Sequence, residues 1–424
     1  MRIYSNQLKE NEGKRVLLKG WVHDFRLIGK LNFIILRDYG GLAQIVLKEE
    51  KFKEIAKSLH LEDVIEVEGI VKKSKSEKFE FEVEAERINI INRSEPQLPL
   101  DPREITKTNL ETRLDWRFLY FRTQEGRAIF KIQTEILKSF REHFLKKGFI
   151  EMQPPIIIAS ASEGGAELFE LPYFEKRAYL AQSPQLYKQM GAISFEKVFM
   201  IVPVFRAEKF DQPTHLNEIR QMDIEMAFAD DETVIKELEE VFVYILKSVK
   251  ENCKEELKIL NQELKIPELP LKRVKYEEAI NALREIGEKI EFGEDFSKSQ
   301  EKKLAEVLGE AFILKDWPEE LKPFYAMPKE DNPKLVKAFD LIYKGLEISS
   351  GTQRIHLANV LEERIIKKGL NPKDFEYYIN AFKYGAPPHS GWSIGLERLT
   401  MKICGKENIQ EVTMFPRTRT RIYP

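Results

Sequence analysis

Charged residues recur at two-residue spacing in the stretch VFRAEKFDQPTHLNEIRQMDIEMAF. Arg206 and Glu208 are two residues apart, and so are Asp223 and Glu225. Because strand side chains alternate between faces, each pair would point to one face of a strand. The flanks are apolar enough for a central position in a sheet, where charges indicate a cleft. Ion pairs on a solvated face are the simpler alternative.

A second polar group lies in LEISSGTQRIH. Glu347 precedes Ser350 at a predicted Ser-Ser-Gly bend, and Arg354 follows. A carboxylate beside a hydroxyl is a suitable oxygen pair for Mg²⁺, which also shares phosphate oxygens. A structural turn with an incidental ion pair is the alternative here.

A third stretch, HSGWSIGLERLTMKICG, has glycines ahead of a predicted helix, with Glu397 and Arg398 in its first turn. Glycine-rich helix starts bind phosphate, and a guanidinium group contacts phosphate with two hydrogen bonds or stacks on a base. Close packing also selects glycine at this spacing, so the glycines alone are a weak indication.

The elements that must position these groups follow from the apolar periodicity. RVLLKGWVHDF, LNFIILRDYGGLAQIVLK, DVIEVEGIVKKS and KFEFEVEAERINII are β-rich runs close together in the chain. The second run is broken at Gly-Gly and can supply two strands, and a helical stretch at residues 50–59 follows it. This pattern predicts a five-stranded OB-type barrel over residues 1–98.

The rest of the chain predicts a larger domain. RSEPQLPLDPRE, with its prolines, indicates a hinge at residues 99–122. Helical and strand patterns then alternate, which predicts an α+β domain over residues 123–424. A more polar stretch at about residues 274–332 is interpreted as a small insertion.

The composition excludes several classes of protein. With a net charge of −2 and a pI near 6.4, any nucleic-acid surface must be local. Cys253 and Cys404 stand near no His/Cys cluster, which argues against zinc or disulfides and for a cytoplasmic location. No apolar run approaches the roughly 18 residues that span a bilayer, so no membrane partner is expected.

In their order along the chain, these stretches resemble the three signature motifs of class II aminoacyl-tRNA synthetases. GFIEMQPPIII, with Pro155, resembles the first motif, FRAE with its returning strand the second, and GWSIGLERL the third. With the barrel and TRLDWRFLYFR, nearly the whole chain resembles the class IIb branch that charges aspartate, asparagine and lysine. The resemblance implies an antiparallel catalytic sheet flanked by helices, and a homodimer built through the first motif.

The resemblance also implies an ATP site. Arg206 would contact the α-phosphate, Glu208 the adenine amino group, and Arg398 the base and the γ-phosphate. Arg206, Arg398 and Glu347 would be the catalytic residues. The full ATP-binding set is Arg206, Glu208, His215, Glu347, Gly395 and Arg398.

Two further features of the ATP site follow from the resemblance. Glu347 and Ser350 would hold Mg²⁺ between the phosphates. Where the family has a phenylalanine under the adenine, this chain has Ile219. Catalysis would rest on positioning and charge neutralisation for in-line attack, without a covalent enzyme intermediate.

The amino-acid pocket resembles that of the archaeal and eukaryotic aspartate enzymes of this class. Lys188 and Arg354 would hold the side-chain carboxylate of L-aspartate, with Asp223 among the groups around its ammonium. Asparagine would leave both cations unpaired, at a cost of several kcal/mol. The expected binding residues are Glu163, Gln185, Lys188, Asp223, Ser350 and Arg354.

Two alternatives remain open. The segment FPRTRTRIYP is closer to archaeal asparagine enzymes, so an asparagine or lysine enzyme of the same fold is one alternative; Arg417 and Arg419 could also be a solvated basic end. A non-catalytic RNA-binding paralogue is the other, against which the set Arg206, Glu347 and Arg398 argues.

In the barrel, the resemblance implies an anticodon site for tRNA-Asp, formed by stacking in a positive groove. DNA is not an expected partner. Within this site His23 favours strict reading of tRNA-Asp, whereas Lys78 favours relaxed reading that includes tRNA-Asn. The residues expected at the anticodon are His23, Arg26, Phe33, Gln44 and Lys78.

Overall fold

The computed structural model describes residues 2–28, 31–159 and 168–424. The chain forms two compact units, Met1–Gln124 and Glu125–Pro424. Among the described residues, no helix combines the length and the apolar character needed to cross a membrane.

The first unit is built on a closed five-stranded barrel. Its strands pair in the order β1-β2-β3-β5-β4, and only β3 and β5 are parallel. Alternate residues of the strands point inward and form one apolar core. The predicted barrel is therefore confirmed, including the break at Gly40-Gly41 between its second and third strands. The strands are β1 (Arg15–Ile28), β2 (Leu31–Arg37), β3 (Leu42–Leu47), β4 (Val64–Lys73) and β5 (Phe81–Asn92).

Three short helices complete this unit, and two of them lie within the proposed hinge, residues 99–122. Side chains from the proposed hinge contact the barrel: Arg103 pairs with Asp24 at 3.3 Å, and Arg122 pairs with Glu62 at 2.8 Å. The three helices are α1 (Lys53–Lys57), α2 (Leu110–Asp115) and α3 (Arg117–Tyr120).

The second unit is organised around an eight-stranded sheet in the order β12-β13-β14-β15-β16-β11-β10-β6. The six strands from β13 to β10 are antiparallel neighbours, and each outermost strand joins in parallel. A separate sheet has the order β7-β9-β8. The strands are β6 (Ile150–Glu151), β7 (Ile157–Ile158), β8 (Glu170–Tyr173), β9 (Lys176–Leu180), β10 (Lys197–Phe205), β11 (Glu218–Ala227), β12 (Lys272–Lys275), β13 (Ala311–Pro318), β14 (Leu335–Tyr343), β15 (Leu346–Arg354) and β16 (His389–Gly395).

Helices cover the sheet. The indole of Trp392 on β16 donates to the Val234 carbonyl of α6 at 2.9 Å, which places α6 on one face. The helices are α4 (Gln124–Lys146), α5 (Gln185–Phe195), α6 (Asp231–Asn252), α7 (Lys254–Ile259), α8 (Tyr276–Glu285), α9 (Lys298–Leu308), α10 (Ala358–Lys367), α11 (Glu376–Lys383) and α12 (Leu396–Ile403). Single 3₁₀ turns lie at Ser5–Gln7, Lys9–Asn11, Glu50–Phe52, Glu319–Leu321, Pro372–Phe375 and Ile409–Val412.

Two local expectations were wrong. Arg206 and Glu208 follow β10, which ends at Phe205, so strand alternation does not govern their directions. The predicted Ser-Ser-Gly bend is part of the continuous strand β15, and the irregularity there is a register shift against β14 next to Glu347. Gly351 stays within the strand pairing and packs against the Phe339 ring, where a Cβ would approach to 2.4 Å, so close packing accounts for the glycine.

Candidate functional site

The floor of the candidate site is a row of side chains across neighbouring strands. Ser350 on β15 pairs with Ser393 on β16, which pairs with Asp223 on β11. Paired residues share a face of an antiparallel sheet. The Ser393 hydroxyl donates to the Asp223 carboxylate at 3.0 Å, so a hydrogen bond joins these two members of the row directly.

One face of β11 carries both ends of the site. Ile219, Gln221, Asp223 and Glu225 alternate onto the same face. Ile219 and Gln221 line a cleft, whereas Asp223 and Glu225 are fully buried beyond it. The Gln221 amide oxygen has no hydrogen-bond partner within the described part of the chain. The strand therefore leads from an open cleft into a closed charged pocket.

Gly391 makes room for the Glu225 carboxylate. The two residues are paired across β16 and β11, and a Cβ on Gly391 would lie 2.1 Å from Glu225 Oε2. No other residue type fits without displacing the carboxylate. Sequence reasoning did not single out Gly391; its place between buried strand residues is the signal that could have found it.

Lys188 is buried in the charged pocket, with only 1% of its side chain exposed. It lies on α5, and its Nζ donates to Asp223 Oδ1 at 2.7 Å and to the Trp392 carbonyl at 3.3 Å. Glu225 Oε2 is 3.6 Å away. The lysine is thus not a free cation: protein carboxylates already neutralise it, which the sequence did not predict.

Arg354 is the second cation of the pocket. Its Nε and Nη2 donate to the two oxygens of Glu225 at 2.9 and 3.1 Å, and Nη1 donates to Thr352. Burial alone would raise the pKa of Glu225, but Arg354 and Lys188 outweigh it and hold that pKa below its usual value. Two cations and two carboxylates therefore balance within one dry pocket.

Gln185 belongs to a buried hydrogen-bond network beside this pocket. Its amide donates to Gln189 Oε1 at 2.8 Å, and the Tyr378 hydroxyl donates to the same oxygen. His389 has its pKa lowered by burial, and its Nδ1 lies 2.8 Å from the Pro387 carbonyl. A neutral ring that donates from Nδ1 accepts from the Gln189 amide through Nε2, at 2.9 Å. The network holds α5, and with it Lys188, against the sheet.

The six residues expected at ATP all line the open cleft, together with Ser350 and Ile219. Arg398 connects two of them: its Nη1 donates to the Glu347 carbonyl at 3.1 Å, and its Nη2 lies 3.4 Å from His215 Nε2. Burial, together with the positive charges of Arg398 and Arg206, lowers the pKa of His215 to about 4. His215 is therefore neutral at pH 7, inside a positively charged rim.

Oxygen groups suited to a divalent cation meet at one end of the cleft. Glu347 and Ser350 line the cleft there. Asp340, buried beside it on β14, pairs with Ser350 and accepts from Lys322 Nζ at 2.7 Å. Burial raises the pKa of Asp340 to about 6; Lys322 opposes this rise, and the charge of Glu347 adds to it. An all-oxygen set with close carboxylates fits Mg²⁺. Sequence reasoning missed Asp340; a lone carboxylate in the apolar stretch LVKAFDLIY was the available signal.

Glu397 connects α12 to β11 and should make stability depend on pH. The Arg220 backbone N–H donates to both Glu397 oxygens at 3.1 Å, yet burial raises the pKa of this carboxyl to about 7. The folded protein then binds a proton between about pH 4.5 and 7 that the unfolded chain has released. We expect the free energy of unfolding to fall by about 3 kcal/mol as pH rises through this window.

Denaturant unfolding at pH 5 and pH 8 measures this effect. Glu397→Gln should have a smaller loss of stability between the two pH values than the wild type, since it has no proton to release. An equal loss in both proteins would contradict the assignment to Glu397.

The remaining aspartate-site residue, Glu163, lies outside the described residues.

The residues expected at the anticodon are brought together on the barrel. His23, Arg26, Phe33, Gln44 and Lys78 all line one groove of about 640 Å³. Sequence reasoning missed Phe79, Lys48 and Lys75 in the same groove; the aromatic and basic residues of KSEKF were the available signal for Phe79 and Lys75.

Comparisons with known proteins cover the full length of the chain. The family described as tRNA synthetases class II (D, K and N) matches residues 109–419, and the OB-fold nucleic acid binding domain matches residues 16–91. An aspartate–tRNA(Asp/Asn) ligase of Methanocaldococcus jannaschii is 47% identical, covering 99% of this chain and 98% of that relative. An aspartate–tRNA(Asp) ligase of Pyrococcus furiosus is 46% identical, covering 99% of each chain.

Solved structures match equally broadly. Asparaginyl-tRNA synthetase from Pyrococcus horikoshii, complexed with asparaginyl-adenylate, superposes with a TM-score of 0.96 at 35% identity over 100% of both chains. Aspartyl-tRNA synthetase from Entamoeba histolytica superposes with a TM-score of 0.88 at 32% identity, covering 100% of this chain and 93% of that one.

Proposed function

Because this chain belongs to the class II tRNA synthetases of the aspartate, lysine and asparagine group, we propose that it is an aspartate–tRNA ligase. It activates L-aspartate with ATP and transfers it to the 3′ end of tRNA-Asp. The observation that carries the amino-acid assignment is the buried set of Lys188, Arg354, Asp223 and Glu225 next to the ATP cleft.

Aspartate suits this pocket through an exchange of partners. The substrate ammonium replaces Lys188 as the partner of Asp223, which leaves Lys188 for the side-chain carboxylate. Arg354 keeps Glu225 and has further N–H donors for the same carboxylate. The amide of asparagine carries no such charge, so Lys188 would lose Asp223 as its near partner and keep only Glu225, 3.6 Å away and shared with Arg354.

Activation follows from the neighbouring cleft. Arg206 and Arg398 bind the phosphates, and Glu208 accepts from the adenine amino group. The α-carboxylate of aspartate attacks the α-phosphorus in line, forming aspartyl-adenylate and releasing pyrophosphate. A ribose hydroxyl of the tRNA then attacks the mixed anhydride and releases AMP. The side chains act by position and charge, without a covalent enzyme intermediate.

Mg²⁺ is the proposed metal, held by Glu347 and Ser350, with Asp340 as a further ligand. When bound, it neutralises phosphate charge. The support is the all-oxygen donor set and the mutual influence of the Glu347 and Asp340 carboxylates.

Aminoacylation of separate tRNA-Asp and tRNA-Asn transcripts tests the proposal. We expect aspartate to be attached to tRNA-Asp, and the ratio of kcat/KM for the two tRNAs tells strict from relaxed anticodon reading. Relatives of both kinds have similar identity to this chain. Pyrophosphate exchange with asparagine but not aspartate would identify an asparagine enzyme, and no exchange with any amino acid would favour a non-catalytic paralogue.

The barrel groove is the proposed anticodon site, and Phe33→Ala tests it. Loss of base stacking costs about 1–3 kcal/mol, so kcat/KM for tRNA-Asp should fall about 10- to 100-fold. Pyrophosphate exchange without tRNA should be unchanged. Tyr39→Ala is the control, because Tyr39 is 75% exposed on the same unit and does not line the groove. Equal aminoacylation by both variants would refute the site.

A homodimer and a cytoplasmic location complete the proposal. Ile150, Ile156 and Ile157, around Pro155, are large apolar residues that are more than one-third exposed, which suits an interface. Light scattering on the purified protein distinguishes a dimer from a monomer.

Buried free thiols at Cys253 and Cys404 suit a reducing compartment.

A further inference from the structure

The loop that carries three proposed ATP residues has little structure of its own. Residues 206–217 connect β10 to β11 and include Arg206, Glu208 and His215. Residues 209–213 at its tip are exposed. A loop of this kind needs contacts from elsewhere to hold its side chains in one geometry.

Asn217 closes the base of the loop. Its side-chain amide donates to the Arg206 carbonyl at 2.7 Å and to the Glu208 carbonyl at 3.3 Å. Its backbone carbonyl accepts from the Arg206 N–H at 2.9 Å. These bonds join the two ends of the loop, and at its tip the Pro213 carbonyl accepts from the Ile409 N–H at 2.8 Å.

The 416–424 segment supplies further contacts to both the base and the tip of the loop. The Asn217 N–H donates to the Arg417 carbonyl at 2.8 Å, and Arg419 Nη1 donates to the Lys209 carbonyl at 2.7 Å. Asp211 at the tip accepts from the Arg419 N–H at 3.2 Å and from the Thr420 hydroxyl at 2.6 Å. The segment thus contacts the loop at its base, its side and its tip.

The segment is itself shaped for this contact. The Thr418 N–H donates to the Arg421 carbonyl at 3.1 Å, and the Thr418 hydroxyl accepts from the N–H groups of Thr420 and Arg421. The resulting turn presents Arg419 and Thr420 together to Asp211. A merely solvated basic end would not make these bonds.

We propose that the 416–424 segment positions the 206–217 loop for ATP, with Asp211, Arg419 and Thr420 as positioning residues. The inference rests on the proposed function, since it concerns ATP binding by Arg206, Glu208 and His215. The segment supports these residues through backbone and tip contacts, and none of its residues is among those that line the cleft.

Thr420→Val tests the proposal, because it removes the hydroxyl that donates to Asp211 and leaves the shape of the side chain nearly unchanged. Loss of one hydrogen bond to a charged group should raise the KM for ATP in aspartate-dependent pyrophosphate exchange about 5- to 20-fold. The KM for aspartate should stay the same, because the pocket around Lys188 lies elsewhere on the sheet. Thr420→Ser keeps the hydroxyl and should have the same KM for ATP as the wild type.

The matched control is Thr233→Val. The Thr233 hydroxyl donates to Asp230 at the same 2.6 Å, but at the start of α6, away from the cleft. This variant should lower the melting temperature without changing the KM for ATP. Asp211→Ala should raise the KM for ATP at least as much as Thr420→Val, because it also removes the bond from the Arg419 N–H. The double variant should be no worse than Asp211→Ala alone, since the Thr420 contact is already lost in that variant.

An unchanged KM for ATP in Thr420→Val and Asp211→Ala, with wild-type exchange intact, would overturn the positioning role. So would a change that merely follows the melting temperature, as in the control. Absence of aspartate-dependent exchange in the wild-type protein is a different result and would count against the proposed function instead.

Discussion

Lys188→Leu is expected to lower kcat/KM for aspartate in pyrophosphate exchange by about 1,000-fold or more. The leucine removes the cation that the substrate carboxylate needs. It also leaves Asp223 facing Glu225 in a closed pocket without the lysine that neutralises both. Removing one partner of a buried ion pair costs about 3–5 kcal/mol of stability, so unfolding must be measured beside exchange.

Lys315→Leu separates the two effects. Lys315 is also mostly buried and pairs with Asp231 and Glu232 at the start of α6, on the face of the sheet away from the cleft. It should lose stability but keep exchange with aspartate. Wild-type exchange by a folded Lys188→Leu protein would disprove the role of Lys188, and a gain of asparagine exchange would support it.

Arg398→Lys should reduce exchange about 100- to 1,000-fold despite preserving the charge. Arg398 reaches two partners through two different nitrogens: Nη1 donates to the Glu347 carbonyl, and Nη2 lies 3.4 Å from His215 Nε2. The single nitrogen of a lysine cannot occupy both positions. The loss should appear in kcat as well as in the KM for ATP, because the contact between Arg398 and the phosphates is needed in the transition state, where negative charge builds up on them.

The control for Arg398 is Arg220→Lys. Arg220 follows Ile219 on β11, so its side chain leaves the opposite face of the strand, and its guanidinium pairs with Glu218 at 2.9 Å. Its backbone bond to Glu397 survives the substitution. Comparable losses in both variants would show that any arginine-to-lysine change near β11 is harmful and would remove the argument for Arg398.

Local pattern was sufficient for the barrel, because β4 and β5 alternate apolar and polar residues and the apolar runs of β2 and β3 are divided by a Gly-Gly turn. It was sufficient as well for the apolar flanks of β10 and β11. It failed at Arg206 and Glu208, where the strand ends one residue before the charges begin. Alternation shows the face of a strand residue but does not show where pairing stops.

The pocket depended on contacts that no local pattern encodes. Asp223 and Ser393 are 170 residues apart, and Lys188 reaches Asp223 from a helix 35 residues away. The resemblance placed these residue types together, but not the ion pairs that they form with one another. Asp340 was overlooked because it has no charged neighbour at two-residue spacing, the signal that drew attention to Asp223.

The row formed by Ser350, Ser393 and Asp223 has a consequence for how the chain can evolve. The distance between the nucleotide and the amino acid is set by strand rise, about 3.3 Å per residue along β11. Side chains can therefore be exchanged one at a time while the two substrates stay in line. Inserting a single residue into β11 would turn the inward side chains beyond the insertion outward. Substitutions can therefore change which substrate is chosen, whereas the distance between the nucleotide and the amino acid stays fixed by the strand.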